Sequence, residues 1–304
     1  MRVSILGSAA GGGFPQWNCS CRNCSALRAG TFRGSRRSQT QVAVSQDGQS
    51  WFLLNASPDL RQQIEACPAL HPSGSGRGSP IAGVVLTSAD LDQVVGLLSL
   101  RELQPFRIYC TPSVRRILRE DNNVFAMLNR VPEQVFWMEI RPGESFPLAS
   151  SGLCCAAFSL GGCYPAYVSS RRVDSLQADE GLLGLMVTSS SGRTLAYLPT
   201  VPEVDQALRE RLEAADLVLF DGTFWTDDEL IRVQGDGATA RQMGHIPVSG
   251  SDGGLRQLDG LRHPRKVLVH VNNTNPMLDE SGPEYAQVRA AGWEIAEDGW
   301  SIEL

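Results

Sequence analysis

The stretch that decides the fold is "IAGVVLTSADLDQVVG", Ile81 to Gly96. Its first half is apolar and rich in β-branched residues, which is typical of a buried central strand. Polar residues end that strand, and helical spacing follows, with Val94, Leu97 and Leu98 on one face. A strand that ends in polar residues and leads into a helix is where α/β proteins place their functional sites.

The same pattern recurs along the chain. "FRIYCT" precedes "PSVRRILRED", and "RTLAYLPT" precedes "PEVDQALRERLEAA", where Pro202 near the beginning suits a helix start. Further strands are predicted at "RVSILG", "QVAVS", "SWFLLNA", "DLVLFDGTFW" and "KVLVHVNNTNP". Strands that alternate with helices predict a layered α/β architecture, and no fixed-period repeat indicates a solenoid.

Composition excludes several classes of partner. The chain has 304 residues, of which 42% are hydrophobic and 20% charged, as in an ordinary globular protein. Its formal net charge of −6 provides no basic field for nucleic acid or an anionic membrane surface. No apolar stretch approaches the roughly 18 residues that cross a bilayer, and no secretion signal is recognisable. We therefore expect a cytoplasmic protein with no nucleic-acid or membrane partner.

The stretch "PQWNCSCRNC" holds Cys19, Cys21 and Cys24, three of the eight cysteines. This C-x-C-x-x-C spacing, called the cysteine knuckle below, lets three thiolates converge on one ion, and zinc with sulfur ligands is normally four-coordinate. The fourth ligand is expected from His270, His245 or Asn273. A redox pair of Cys21 and Cys24 is the alternative, but the usual strand-to-helix setting of such a pair is missing.

Histidines and carboxylates at strand ends are the other candidate ligands. His71 and His263 lie in polar stretches that predict solvated side chains, whereas His270 ends the apolar run "KVLVH". Asp90, Asp92 and Asp221 also follow apolar runs, and carboxylates at strand ends can converge on one metal. One of Asp90 and Asp92 could instead cap the helix that starts near Leu91.

The segment "TSADLDQVVG" resembles the metallo-β-lactamase superfamily motif T-H-x-H-x-D-H-x-x-G. The four ligand positions of that motif are occupied here by Ser88, Asp90, Asp92 and Gln93. In the superfamily, later ligands come from an Asp after an apolar strand and a His at the end of another. Asp221 and His270 fit these two roles.

From end to end, the chain more closely resembles the protein B family of pyrroloquinoline quinone (PQQ) biosynthesis. The stretches that carry this resemblance are "ILGSAAGGGFPQWNC", "LLNASPDLRQQI", "GLLSLRE", "LFDGTFW", "MGHIPVSG" and "HVNNTNP". The resemblance implies a single metallo-β-lactamase-like domain over residues 1–304, built as an αββα four-layer sandwich. It also implies a structural zinc ion in the knuckle, residues 19–24, and a homodimer that the knuckle supports.

The resemblance further implies an iron-dependent hydroxylase that uses oxygen and acts on the tyrosine ring of a cross-linked Glu–Tyr precursor. Asp90, Asp92, Asp221 and His270 would carry the metal, with His245 and Asp92 as catalytic residues and His245 handling a proton. The partner is then a small-molecule or peptide-derived precursor. The residues expected to contact it are Ser88, Tyr164, Tyr167 and Asn272.

Gln93 departs from the family, which has a histidine directly after the second Asp of D-x-D-H. An amide oxygen is a weaker ligand for iron than an imidazole nitrogen. Three outcomes stay open: weaker metal binding by the carboxylates and His270, ligation through Gln93 or a water, or a carrier that binds a pathway intermediate without turning it over. A metal-dependent hydrolase is a further alternative, disfavoured because the histidines for a second metal are missing.

Overall fold

The computed structural model describes all 304 residues of the chain. These residues form two compact units. Unit 1 comprises residues 1–6, 41–193 and 299–304, and unit 2 comprises residues 7–40 and 194–298. The single domain predicted over residues 1–304 stays a prediction. No helix has the length and apolar character needed to cross a membrane.

Unit 1 contains a seven-stranded mixed sheet. In spatial order its strands are β14 (Trp300–Glu303), β1 (Arg2–Gly7), β2 (Gln41–Ser45), β3 (Trp51–Leu54), β4 (Ile81–Val85), β5 (Phe106–Cys110) and β6 (Val135–Glu139). The pairs β14–β1 and β2–β3 are antiparallel, whereas β3 to β6 run parallel. The strands predicted at β1 to β5 are therefore confirmed.

Unit 1 also contains three antiparallel strands and four short α-helices. The strands are β7 (Ser145–Pro147), β8 (Cys154–Gly161) and β9 (Leu182–Thr188), and the helices are α2 (Leu60–Ala66), α3 (Leu91–Val94), α4 (Pro112–Arg116) and α5 (Ser170–Val173). The chain continues after α3 as a 3₁₀-helix, Val95–Leu100, and after α4 as a π-helical turn, Ile117–Asp121. Two other 3₁₀-helices are Pro68–Leu70 and Asn123–Asn129.

The core of unit 1 explains why the stretch from Ile81 to Gly96 folds as a strand followed by a helix. Val84 and Val85 of β4 are fully buried, as expected for a parallel strand covered on both faces. Val94 and Leu97 are fully buried in the same apolar cluster, and Leu98 packs against it. The predicted apolar face of the helix is therefore the face that anchors the loop between β4 and α3.

Unit 2 contains four parallel strands and five helices. The strands are β10 (Thr194–Leu198), β11 (Leu217–Asp221), β12 (Arg265–Val269) and β13 (Glu294–Ile295). The helices are α1 (Arg22–Arg28), α6 (Gln206–Glu213), α7 (Glu229–Gln234), α8 (Gly254–Gln257) and α9 (Pro283–Ala290). Two 3₁₀-helices, Arg241–Met243 and Pro276–Leu278, complete it. Aromatic packing of Phe220 against Trp293, with ring centroids 5.8 Å apart, fills part of its core.

The predicted start of α6 was wrong by several residues. Pro202 lies before the helix, which begins at Gln206. Asp205 caps it instead, because its Oδ1 accepts a hydrogen bond of 2.7 Å from the N–H of Leu208. The side-chain acceptor of Asp205 at the N-cap therefore determines where α6 begins. The fixed φ of Pro202 does not.

The parallel strands of unit 2 bring polar residues to one edge. Asp221 ends β11 and His270 directly follows β12, and the two strands pair in register up to Asp221 and Val269. Gly222 turns the chain away from β11, and a Cβ atom there would lie 2.9 Å from Cβ of Leu268. A glycine is thus required for the close approach that places Asp221 beside the end of β12.

Candidate metal and substrate sites

The three cysteines of the knuckle come together in unit 2 around the start of α1. Each offers one sulfur, and the three sulfurs lie within 4.8 Å of one another. Cys21 caps the helix, because its Sγ accepts the N–H of Cys24 at 3.5 Å, and Cys19 Sγ accepts the N–H of Cys21 at 3.4 Å. Three sulfurs at this spacing fit a tetrahedral zinc ion that takes one further ligand.

Asn273 is the side chain that the structure places against these sulfurs. Its amide Nδ2 lies 3.2 Å from Cys19 Sγ, 3.3 Å from Cys24 Sγ and 3.7 Å from Cys21 Sγ. The backbone oxygen of Asn273 accepts a hydrogen bond of 3.2 Å from Asn23 Nδ2, which ties the loop after β12 to α1. His270, the alternative fourth ligand, belongs instead to a separate cluster with Asp221 and His245.

Hydrogen bonds favour negative charge at the knuckle. Burial acts to raise the pKa of the Cys19 thiol, but hydrogen bonds from Cys21, Cys24 and Asn273 outweigh it, so that the pKa lies below its usual value. For Cys21, burial dominates and raises the pKa. We expect a thiolate at Cys19 to be the first group that attracts a cation, because the thiolate is the metal-binding form.

The second cluster in unit 2 consists of Asp221, His245 and His270, all buried. His245 follows the 3₁₀-helix Arg241–Met243, and its ring stacks on that of His270, with centroids 5.4 Å apart. His245 Nδ1 lies 2.8 Å from Asp221 Oδ2. His270 has a φ of +59°, so its backbone adopts a conformation that L-residues rarely adopt, and such strain often marks functional positions.

Asp221 receives four hydrogen-bond contacts. Its Oδ1 accepts from the N–H and the hydroxyl of Thr223, at 3.0 and 2.6 Å. Its Oδ2 accepts from the N–H of Val201 at 2.8 Å and faces His245 Nδ1. A buried carboxylate with this many donors is well compensated for the loss of water.

The predicted ligands of unit 1 lie in a hydrogen-bonded loop between β4 and α3. Asp90 occupies the N-cap position of α3, but its side chain makes no capping hydrogen bond and instead accepts from Ser88 Oγ at 2.7 Å. Asp90 therefore lies at the expected N-cap position, but its carboxylate is not the capping acceptor. Asp90 and Asp92 are both half-buried and belong to this unit, so they remain predicted metal ligands.

Gln93 is the acceptor at the centre of this loop. Its Oε1 lies 2.7 Å from Thr87 Oγ1, 3.0 Å from Ser88 Oγ and 3.1 Å from Asn55 Nδ2. Asn55 also accepts the N–H of Thr87 at 2.8 Å, which links the ends of β3 and β4. The amide oxygen that was predicted as a weak metal ligand is thus surrounded by hydrogen-bond donors from the protein.

The residues expected to contact substrate have different surroundings. Ser88 is fully buried, so in this structure it holds the loop and offers no surface to a substrate. Tyr167 is 40% exposed and its hydroxyl donates to the backbone oxygen of Ala89 at 2.5 Å. Tyr164 donates to the backbone oxygen of Gln177, and Asn272 donates to Thr274 Oγ1. Burial and the Asp90 carboxylate raise the pKa of Tyr167, which keeps it a donor.

A cavity of about 380 Å³ lies beside the knuckle in unit 2 and was not foreseen from the sequence. Its lining includes Cys21, Trp225, Glu229 and Thr274. Glu229 is 5% exposed, and burial raises its pKa to about 7, although Thr274 Oγ1 and the N–H of Trp225 each donate to it at 2.5 Å. Thr223, Asn55 and Glu229 gave no signal in the sequence, because their partners are distant along the chain.

Comparisons with known proteins agree with this geometry. A family model described as a β-lactamase superfamily domain matches residues 50–271. The chain is 47% identical to the coenzyme PQQ synthesis protein B of Azotobacter vinelandii and 44% identical to that of Methylorubrum extorquens strain PA1, with 100% of both chains covered in each case.

Solved structures show the same relationship. A zinc-bound crystal structure of PqqB from Methylobacterium extorquens is 43% identical, with a TM-score of 0.93 and 100% of both chains covered. A diphosphatase of the PhnP family, 19% identical with a TM-score of 0.65 over 100% of this chain and 97% of its own, shares the fold. The predicted metallo-β-lactamase fold, an α/β sandwich of two mixed sheets with helices, is confirmed.

Proposed function

We propose, because this chain belongs to the coenzyme PQQ synthesis protein B family of the metallo-β-lactamase superfamily, that it is a metal-dependent hydroxylase of PQQ biosynthesis. Its substrate is a Glu–Tyr-derived or peptide-derived precursor with an aromatic ring, and its active-site metal is ferrous iron. The observation that carries this proposal is the cluster of Asp221, His245 and His270.

The donor atoms of this cluster suit a divalent transition metal. Two imidazoles and a carboxylate are the set that non-haem iron(II) oxygenases use, and imidazole also binds zinc. The zinc-bound relative supports a divalent metal in this family.

The residues of this chain have distinct tasks in the proposed reaction. When bound, ferrous iron supplies one-electron chemistry with oxygen that no side chain provides. Asp221, His245 and His270 hold the cation, and Asp221 also orients His245 through Nδ1, as carboxylates commonly orient metal-binding imidazoles. The catalytic role predicted for Asp92, the ligand roles of Asp90 and Asp92, and substrate contacts by Tyr164, Tyr167 and Asn272 are part of this proposal.

A structural zinc ion in the knuckle is a separate part of the proposal. Cys19, Cys21 and Cys24 supply three thiolates, and Asn273 supplies the fourth donor. Because amide nitrogen and oxygen exchange places on rotation of the amide, Asn273 can turn Oδ1 toward the ion without moving its backbone. The cytoplasmic location, and the homodimer that the knuckle would support, are proposed on the resemblance alone.

A carrier of a pathway intermediate is the second candidate function. The observation that favours it is the pair of donors on Gln93 Oε1, Thr87 Oγ1 and Asn55 Nδ2, because an oxygen already engaged by hydrogen bonds is a poor metal ligand. A hydrolase is less well supported, because the chain lacks the histidines that would hold a second metal in the motif "SADLDQ".

Metal analysis separates these functions. Whether the protein is a hydroxylase or a carrier, the chain purified without added metal should contain about one zinc ion, which the knuckle holds. The hydroxylase additionally requires a second site that takes up ferrous iron under anaerobic conditions, and Asp92→Ala should abolish this uptake if Asp92 is a ligand. No iron binding at millimolar ferrous iron would overturn the hydroxylase and favour the carrier.

A further inference from the structure

Thr223 lies at the centre of the histidine cluster, although neither its motif "DGTFW" nor its chemistry marks it as functional. Its Oγ1 is 2.6 Å from Asp221 Oδ1, 2.8 Å from His270 Nδ1 and 3.1 Å from His245 Nδ1. The side chain is 2% exposed. Gly222 fixes its position, because the close packing there against Leu268 admits no Cβ atom.

The proton of the Thr223 hydroxyl can be assigned from these distances. An ionised carboxylate only accepts hydrogen bonds, and a hydroxyl carries one proton. Two oxygens 2.6 Å apart without a proton between them would repel, so the Thr223 proton points to Asp221 Oδ1. The N–H groups of Val201 and Thr223 also donate to this carboxylate, so both of its oxygens act as acceptors.

The tautomers of both histidines follow from this assignment. His245 Nδ1 lies 2.8 Å from Asp221 Oδ2, an acceptor, so Nδ1 must carry a proton. His270 Nδ1 lies 2.8 Å from Thr223 Oγ1, whose own proton is committed to Asp221. His270 Nδ1 must therefore carry a proton as well. In a neutral imidazole with a proton on Nδ1, the lone pair is on Nε2.

We propose that Thr223 is a positioning residue that fixes His245 and His270 as Nδ1–H tautomers and so leaves the lone pair of each ring on Nε2, available to a divalent cation. Asp221 serves this arrangement as the terminal acceptor. Its four hydrogen-bond contacts hold Thr223 and His245 in place. The metal-binding purpose of this arrangement rests on the proposed function, whereas the proton assignment does not.

Nitrogen-15 spectra of the full-length protein, recorded without metal in the histidine cluster, test the proton assignment. The four histidines can be assigned through His71→Gln and His263→Gln, which alter exposed side chains, and through His245→Gln, which separates the two remaining signals. Neutral His245 and His270 should both show a protonated Nδ1 and an unprotonated Nε2. A wild-type spectrum with the proton on Nε2 of His270 would overturn the proposal without any variant.

Two substitutions then assign the effect to the hydroxyl. Thr223→Val keeps the shape of the side chain but removes the acceptor, so His270 should shift toward the Nε2–H tautomer. Thr223→Ser should restore the wild-type spectrum, which a purely structural role of the Thr223 methyl group would not explain. An unchanged His270 signal in Thr223→Val would overturn the proposal.

Zinc titration distinguishes this proposal from the proposed function. With one equivalent of zinc already in the knuckle, Thr223→Val should bind a second zinc ion about 10- to 100-fold more weakly than wild type, and Thr223→Ser should bind it nearly normally. If wild type has the expected tautomers but binds no second zinc or ferrous ion, the proposed function fails and the proton assignment stands. If wild type binds the second ion and Thr223→Val binds it equally well, the positioning role fails and the proposed function stands.

Discussion

The imidazole rings of His245 and His270 stack with their centroids 5.4 Å apart and their planes 19° from parallel. One ring comes from the loop after the 3₁₀-helix Arg241–Met243 and the other from the end of β12. Both Nδ1 atoms contact the same hydroxyl, that of Thr223. The two histidines therefore form one pair linked through Thr223, although they are 25 positions apart in the sequence.

His245→Gln should weaken uptake of the second divalent metal while leaving one zinc ion per chain. The substitution removes one of two nitrogen donors, and we expect affinity to fall at least tenfold, about 1.4 kcal/mol. Calorimetric titration of the zinc-loaded protein measures this loss. His263→Gln is the matched control, because that imidazole is exposed and faces Asp216 at 3.8 Å. Equal affinity in both variants would remove His245 from the site.

Asn273→Ala should weaken zinc binding at the knuckle. Removal of the fourth donor is expected to cost at least a factor of ten, about 1.4 kcal/mol, in competition against a chromogenic chelator. Asn273→Asp, which keeps an oxygen in place, should retain zinc. Asn18→Ala is the control, since that exposed side chain only accepts from Gln16. Full zinc retention in Asn273→Ala would show that the fourth ligand comes from elsewhere.

Gln93→Leu should destabilise the protein by about 1–3 kcal/mol. The buried donors of Asn55 and Thr87 would lose a shared acceptor, and unsatisfied buried donors carry a desolvation cost of this size. Denaturant unfolding measures the change, and Gln287→Leu on the exposed side of α9 is the control. A change within about 0.5 kcal/mol would mean that water replaces the lost acceptor.

Gln93→His separates two explanations for the glutamine. If Gln93 replaces a lost ligand, the imidazole should raise ferrous-iron affinity above that of wild type, because nitrogen is the better donor. Loss of the acceptor should at the same time lower the denaturant midpoint. Lower stability without a gain in affinity would show that the hydrogen-bonding role of Gln93 is the important one.

Glu229 should make stability depend on pH below neutrality. Its pKa is about 7 in the folded protein and near 4.5 when exposed in the unfolded chain, so the folded state binds more protons between these values. The free energy of unfolding should therefore fall as pH rises from about 4.5 to 7, by at most about 3 kcal/mol from this group. Glu229→Gln should flatten this part of the profile.

The control for this measurement is Glu65→Gln, which alters an exposed carboxyl. Unfolding curves of wild type and both variants at several pH values isolate the Glu229 contribution as a difference. Identical slopes in wild type and Glu229→Gln would show that the carboxyl titrates in its ordinary range. The sign is diagnostic, since a salt-bridged carboxylate would instead gain stability as pH rises.

Much of the fold could be predicted because it is encoded locally. β4 and β11 are short apolar runs with polar ends, and such runs can be recognised as strands from the sequence alone. β6 and β8 were not predicted. β6 has four apolar residues, Val135 to Met138, but alternates half-buried and exposed positions as an edge strand, and β8 begins with two cysteines and two alanines. These strands are held by their neighbours in the sheet, which local patterns do not reveal.

The site was predictable only in part, for a related reason. The knuckle spacing and the end of β12 pointed to Cys19 and His270, because ligand types at fixed spacing are visible in the sequence. Thr223 and Gln93 owe their importance to single hydrogen-bonding atoms that meet donors and acceptors from other strands. The sequence does not distinguish a threonine or glutamine that faces solvent from one at the centre of a hydrogen-bond network.

The segment from Val271 to Asn275 contacts a different neighbour at each step. Val271 pairs with Ser8 and Ala10, Asn272 bonds to Thr274, Asn273 faces the sulfurs, Thr274 bonds to Glu229, and Asn275 bonds to the backbone of Gly222 and Thr223. Insertion or deletion of one residue would exchange all these partners at once. A single substitution in this loop therefore removes the contacts of one residue, whereas a change in the loop's length displaces the contacts of all five.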